Sequence, residues 1–236
     1  MVRVEHLSKR YGRVVALDDV SFSIRPGEVL GLIGPNGSGK TTLFECLGGV
    51  LPADAGLVTR DGAPLTPRER TSIFFYLPDA IAPWPAQTVG WALDFTIGFL
   101  GGDAARRDDV VRRLDVERLL DSRMGTLSKG QRKRALLAIG LLAPQPMLLA
   151  DEPFDGLDLR QSRDVAAVLR AYAQTGRTLF LSIHQISDAA RVCDRFVLLS
   201  AGRVCGEGTL DELSTIAASR SKDRSSDLEE VFLALT

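Results

Sequence analysis

Apolar residues fall in two rhythms along this chain. In the first 60 residues, Val2-Arg3-Val4 and Val20-Ser21-Phe22-Ser23-Ile24 alternate apolar with polar side chains. Gly56-Leu57-Val58-Thr59-Arg60 is also β-like and stops at Asp61-Gly62. Alternation predicts strands with one covered face, and Arg25-Pro26-Gly27-Glu28 predicts the turn that ends the second piece. Four later segments, 29–33, 147–150, 179–183 and 196–199, are apolar without alternation. Strands buried on both faces have that composition, so these runs predict a largely parallel sheet covered by helices. Helical spacing takes over at about 88–122, where Arg106-Arg107-Asp108-Asp109 leads into Val110, Val111 and Leu114. It returns at 161–174, where Val165, Val168, Leu169 and Tyr172 share a face and Gly176 lies just past the end. The expected fold class is α/β.

The segment that changes this picture most is Gly34-Pro35-Asn36-Gly37-Ser38-Gly39-Lys40-Thr41. It lies between the apolar run Val29-Leu30-Gly31-Leu32-Ile33 and a helical stretch beginning at Thr42. Glycines at 34, 37 and 39 let the backbone take positive φ and approach a polyphosphate closely. Main-chain N–H groups and the positive end of the helix dipole then face the anion. Lys40 is placed to neutralise β- and γ-phosphate charge, and the Thr41 hydroxyl to ligate Mg²⁺. A chance glycine-rich turn would not carry Lys-Thr at this offset between a strand and a helix.

Composition narrows the field without adding chemistry. Hydrophobic residues make up 45% and charged residues 25% of the 236, as in ordinary globular proteins. A net charge of −1 gives no basic field for nucleic acid. The start Met1-Val2-Arg3-Val4-Glu5 has no apolar core of a signal peptide, and Pro144-Gln145-Pro146 breaks the greasiest tract. Three scattered cysteines, Cys46, Cys193 and Cys205, fit reduced thiols in a cytosolic protein.

The second half supplies partners for the loop. Met147-Leu148-Leu149-Ala150-Asp151-Glu152 reads as a buried strand ending in two carboxylates. Asp151 can hold Mg²⁺ through its water shell, and Glu152 can act as general base on an attacking water. As a bland alternative, both would simply end a strand. Leu127-Ser128-Lys129-Gly130-Gln131 precedes an apolar helix over 132–143, with Ser128 as N-cap. By itself this is a capped helix start. Together and in order with the loop and the Asp-Glu strand, it points to an anion-receiving helix terminus.

With those segments in place, the chain resembles the ATP-binding cassette (ABC) ATPases, the nucleotide-binding subunits of ABC transporters, over nearly its whole length. The signature Leu-Ser-Gly-Gly-Gln is present as Leu127-Ser128-Lys129-Gly130-Gln131, with lysine in place of one glycine. The resemblance implies a phosphate-loop NTPase core with an N-terminal antiparallel β subdomain and an inserted helical subdomain at about 84–127. It implies ATP and Mg²⁺ as ligands, held by residues 34–42 including Thr42. Tyr11 resembles the aromatic that stacks on adenine, Asp158 the aspartate that crosses between two cassettes, and His184 the histidine at the γ-phosphate. Asp79, in Tyr76-Leu77-Pro78-Asp79, stands where the family has Gln or Glu. Its shorter side chain predicts a Mg²⁺ contact through water.

The implied assembly is a head-to-tail sandwich of two copies, with Ser128, Gly130 and Gln131 completing the other copy's site. Membrane-spanning permease subunits on separate chains are the other implied partners, and the cytoplasmic face of the membrane is the implied location. Asp227 to Leu235 resembles the ending of export-type cassettes. A soluble ABC ATPase, for example of the iron–sulfur assembly type, is the alternative. Ile81 and Trp84 are expected on an exposed partner surface, and Phe95 and Phe99 inside the helical subdomain. Residues 1–218 are expected to form the ATPase domain, followed by a polar linker from Ser219 and a last helix. In that helix Leu228, Val231, Phe232 and Leu235 make an apolar stripe, with Ser226 and Glu229 spaced as a capping box. Packing of this stripe on its own domain is expected ahead of a partner surface.

Overall fold

In the computed structural model, residues 1–79, 81–102, 104–221 and 228–235 are described. The chain opens with strands β1 (Val2–Tyr11), β2 (Val14–Ile24) and β3 (Val29–Ile33), then helix α1 (Lys40–Leu47). Strands β4 (Ala55–Arg60) and β5 (Ala63–Pro64), helix α2 (Pro67–Ile73) and strand β6 (Phe74–Leu77) follow. Helices α3 (Val89–Leu100), α4 (Arg107–Arg113) and α5 (Lys129–Leu142) come next, then β7 (Met147–Asp151), α6 (Leu159–Ala173), β8 (Thr178–Ile183) and α7 (Ile186–Val192). Strands β9 (Arg195–Ser200) and β10 (Arg203–Gly208) and helices α8 (Leu210–Ser221) and α9 (Leu228–Leu235) complete it.

The two rhythms sort into two sheets. Strands β2-β1-β4-β5 form an antiparallel sheet, and β10-β9-β3-β8-β7-β6 form a second one that is parallel except at β10. Every residue of β3, β7 and β8 is buried, which is why their sequences are mostly apolar, with Asp151, Thr178 and Ser182 as the buried polar exceptions. The first two strands run well beyond the alternating pieces. Between Val4 and Lys9 the register of β1 on β2 shifts twice, and His6 and Asp19 take positive φ of 54° and 58°. Each shift moves side chains to the other face and erases the alternation. Strand β6 was not legible because it follows α2 without a turn.

Two apolar cores result. One lies between the sheets, where Val4, Leu17 and Phe22 meet Leu32, Phe44 and Phe180. The other joins the far face of the parallel sheet to helices α3 to α9, through residues such as Leu93, Leu137, Leu148, Leu169 and Val231. The ends of the inserted helical segment meet each other: Thr88 bridges Arg123, Met124 N–H donates to Gln87 O at 2.9 Å, and Gly125 N–H to Pro85 O at 3.0 Å. Helix α5 starts at Lys129 instead of 132, capped by Ser128 as expected.

Phe99 is not a core residue: it is 73% exposed, while Ile81 packs half-buried on the second core. In α9, Leu228, Val231 and Leu235 are buried in that core, so its stripe packs on its own domain. The expected linker begins inside α8, and its remaining residues, with Ser226 of the capping box, lie outside the described ones. No helix among the described residues is long and apolar enough to cross a membrane.

Candidate functional site

Parallel pairing brings the ends of β3, β7 and β8 to one edge, where open α/β sheets bind ligands: Ile33 lies opposite Ile183, and Asp151 opposite Ser182. The loop leaving β3 wraps residues 34–39 into the start of α1. Gly37 and Gly39 take φ of 80° and 106°, as the sequence predicts. Gly34 is outside the positive-φ set, and its need is space: a Cβ there would sit 2.3 Å from Leu199 O. Lys40 is buried, and its ammonium donates to the carbonyls of Gly34 at 2.8 Å and Pro35 at 3.3 Å. It also lies 4.0 Å from Glu152 Oε1. Ser38 Oγ is buried with no hydrogen-bond partner among the described residues.

The carboxylates are held from below. Thr41 Oγ1 donates to Asp151 Oδ2 at 2.8 Å, and Ser182 Oγ donates to Asp151 Oδ1. The Glu152 N–H is shared between Ser182 O at 3.2 Å and Ser182 Oγ at 2.9 Å. Glu152 itself takes φ of 52°, a conformation that costs a non-glycine residue energy and that clusters at functional sites. Burial pushes its carboxyl above the ordinary carboxylate range, against the opposing pull of Lys40. That combination keeps a base near a cation while raising its proton affinity. His184, exposed at the end of β8, shares with Asn36, Thr41, Asp79, Asp151 and Glu152 the walls of a cavity of about 510 Å³.

Asp79 is reached through a residue that sequence reasoning passed over. Lys133 Nζ donates to Asp79 Oδ1 at 2.6 Å and to the Asp151 carbonyl at 3.4 Å. Nothing in the sequence signalled it: Lys133 stands between Arg132 and Arg134, and only the fold buries it.

Other expected residues stand apart from the cavity. Tyr11 is half exposed at the end of the β1–β2 hairpin, whose Ala16 carbonyl packs against Gly39. Ser128 and Gln131 form a reciprocal capping box, Gly130 abuts the Gly156 carbonyl, and Asp158 caps α6 by accepting from Gln161 N–H at 2.8 Å. None of these four lines the cavity.

The donor set fits Mg²⁺ with a nucleotide polyphosphate. A hydroxyl and a carboxylate already in contact are hard oxygen ligands of the kind Mg²⁺ takes one or two of, alongside substrate phosphates. The unpaired Ser38 hydroxyl and a Lys40 ammonium turned onto its own loop are groups that an anion can satisfy.

Residues 17–155 match the sequence model of the ABC transporter family. The phosphonates import ATP-binding protein PhnC of Halobacterium salinarum is 34% identical over 224 residues, covering 90% of this chain and 80% of the relative. The lipopolysaccharide export system ATP-binding protein LptB of Escherichia coli is 31% identical over 219 residues, covering 89% and 90%. A solved structure described as the ATP binding subunit of an ABC transporter superposes with a TM-score of 0.88 at 29% identity, covering 100% of this chain and 99% of that one.

Proposed function

This chain belongs to the ABC transporter family as a subunit that binds and hydrolyses ATP with Mg²⁺, and from that premise we propose that it powers export through membrane-spanning subunits carried on other chains. The observation that carries the assembly is the division of the expected site. Thr41, Asp151, Glu152 and His184 line one cavity and Lys40 reaches to 4.0 Å from Glu152, whereas Ser128, Gly130, Gln131 and Asp158 neither line that cavity nor contact these residues through a hydrogen bond or ion pair among the described residues. A second copy, placed head to tail, supplies them. Export is supported by the C-terminal ending and by the likeness to an export-system subunit, while relatives named for import are as similar.

The proposed roles rest on the resemblance together with the geometry of the cavity. The loop N–H groups and Lys40 bind and orient the phosphates, and Tyr11 stacks on the base. Glu152 takes the proton of the attacking water, its affinity for that proton raised by burial. His184, on the cavity wall at the end of β8, hydrogen-bonds the terminal phosphate in this reading. Thr41 and Asp151 would hold Mg²⁺, which supplies charge neutralisation on the phosphates. Closing on ATP and opening after hydrolysis then moves whatever is seated on the helical subdomain. That seat is supported by a run of rings in which Trp84, Trp91 and Phe99 are exposed and Phe95 is half-buried between them: Trp91 and Phe95 stack at 5.0 Å, Phe95 and Phe99 at 4.9 Å, with Trp84 edge-on to Trp91 at 5.6 Å.

The subunit then works at the cytoplasmic face. Affinity capture from solubilised membranes, followed by reconstitution in liposomes, tests the proposal. A co-purifying multi-span protein that makes hydrolysis move cargo out of the nucleotide-containing compartment supports it. Full hydrolysis with no membrane protein at any stage replaces it with a soluble ATPase. Cargo movement toward ATP overturns export alone.

A further inference from the structure

Lys133 is buried, with 6% of its side chain exposed, one turn into the helix that Ser128 caps. A buried ammonium is tolerable only beside a counter-charge, and Asp79 at 2.6 Å is that charge. Asp79 in turn is one-third exposed and stands on the wall of the cavity with Thr41 and Asp151. One carboxylate therefore faces both the helix and the proposed nucleotide site. Lys129, four residues earlier and on the same flank of α5, pairs with Asp155, three residues after Glu152. That second pair is exposed at both ends, so it adds little to fixing the helix, and the pair with the buried ammonium decides.

Resting on the assignment of Thr41, Asp151 and Asp79 to the magnesium–nucleotide site, we infer that Lys133 is a positioning residue: it holds Asp79 in place, neutralises it, and ties the loop after β6 to the helix that begins at Ser128. A glutamine at position 79 would need no such partner. An aspartate there without Lys133 would add an uncompensated negative charge beside Asp151 and Glu152. Asp79 and Lys133 thus act as one unit, and a movement at either end reaches the other through an ion pair whose ammonium is buried.

The test compares Lys133→Gln, Asp79→Gln and the double variant. It uses thermal unfolding without nucleotide or metal, Mg²⁺ titration of the binding of a fluorescent ATP analogue, and steady-state ATP hydrolysis. Freed of Lys133, Asp79 offers its full charge to the site, so Lys133→Gln should lower the half-saturating Mg²⁺ concentration by about threefold or more. Turnover should fall by about tenfold as Asp79 loses its fixed position. Asp79→Gln should raise the Mg²⁺ midpoint, because an unpaired cation remains. The double variant should return midpoint and turnover to within about twofold of the original protein, as coupled residues do.

A lower melting temperature in the single variants with an unchanged Mg²⁺ midpoint would make the pair a structural contact and overturn the inference. If Lys133→Gln fails to fold, Asp79→Asn carries the test: an unmoved midpoint there overturns the inference equally. Asp151→Asn separates the two levels. If it too leaves the Mg²⁺ midpoint unchanged, the assignment of the metal site has failed as well.

Discussion

At the scale of single residues, the site balances two charges that oppose each other across 4.0 Å, Lys40 and Glu152. Lys40 is the cation built into the phosphate-binding loop. Lys40→Ala should therefore lower ATP hydrolysis by about a hundredfold or more, since charge placed against a transferring phosphoryl group is worth that much. Equilibrium binding of ATP together with a phosphate-release assay checks it, and near-normal values in both would refute the site. Glu152 poses the reverse problem. Its carboxyl is raised by burial, so the folded protein holds a proton that the unfolded chain gives up more readily. Such a group contributes stability below its unfolded pKa, and the contribution is lost as pH rises through the raised folded value. Glu152→Gln removes that loss. Nucleotide-free Glu152→Gln should accordingly melt above the original protein at about pH 8, with the gain shrinking toward about pH 4. With ATP and Mg²⁺ the same variant should bind without turning over and accumulate as a dimer on size-exclusion chromatography. Normal turnover would remove Glu152 from the role of base.

At the scale of elements, helix α3 carries apolar groups on two sides. Val89, Ala92 and Leu93 are buried, while Trp91 and Phe99 are exposed on the other side beside Trp84. A covered inner face already satisfies the fold, so the outer rings are available for a partner. Trp84→Ala should reduce co-purification with the membrane-spanning subunit several-fold, as truncation of an interface aromatic does. Basal ATP hydrolysis of the isolated subunit should stay within about twofold, because an exposed ring contributes little to folding. Loss of folding with unaltered association would make Trp84 a core residue. The same helix shows where sequence stops informing. Periodicity in 88–122 is enough to place a helix, but not to tell that Phe95 is half-buried among Trp84, Trp91 and Phe99, or that Phe99 is exposed. Continuous apolar runs, by contrast, translated directly into β3, β7, β8 and β9, because a strand covered on both faces favours apolar side chains and confines the polar ones, such as Asp151 and Ser182, to places where they find partners. The loop from Gly34 to Thr41 was legible for a similar reason: close backbone approach and positive φ restrict the residue type at Gly34, Gly37 and Gly39. Lys133 was not legible, because its counter-charge lies 54 residues away and only the fold brings Asp79 to it.

At the scale of the whole molecule, the decisive fact is that one chain does not bring all its expected site residues together. Ser128 lies at the start of α5 and Asp158 at the start of α6, both exposed and both engaged only in capping their own helices. If a second copy completes each site, the two-fold pairing makes a specific statement about mixtures. A Lys40→Ala copy has a defective phosphate-binding loop and an intact Ser128, and a Ser128→Arg copy has the reverse. Homodimers of either contain two broken sites. In a mixed dimer both defects fall in the same site, and the other site is whole. Random mixing of equal amounts should then restore about a quarter of the original number of intact sites. ATP occlusion measured on the mixture, against each variant alone, reads this out without requiring both sites to turn over. If Ser128 served the cavity of its own chain, mixing would join a chain lacking the lysine to a chain lacking the serine. Every site would then stay broken, and occlusion would not rise above the average of the separate variants.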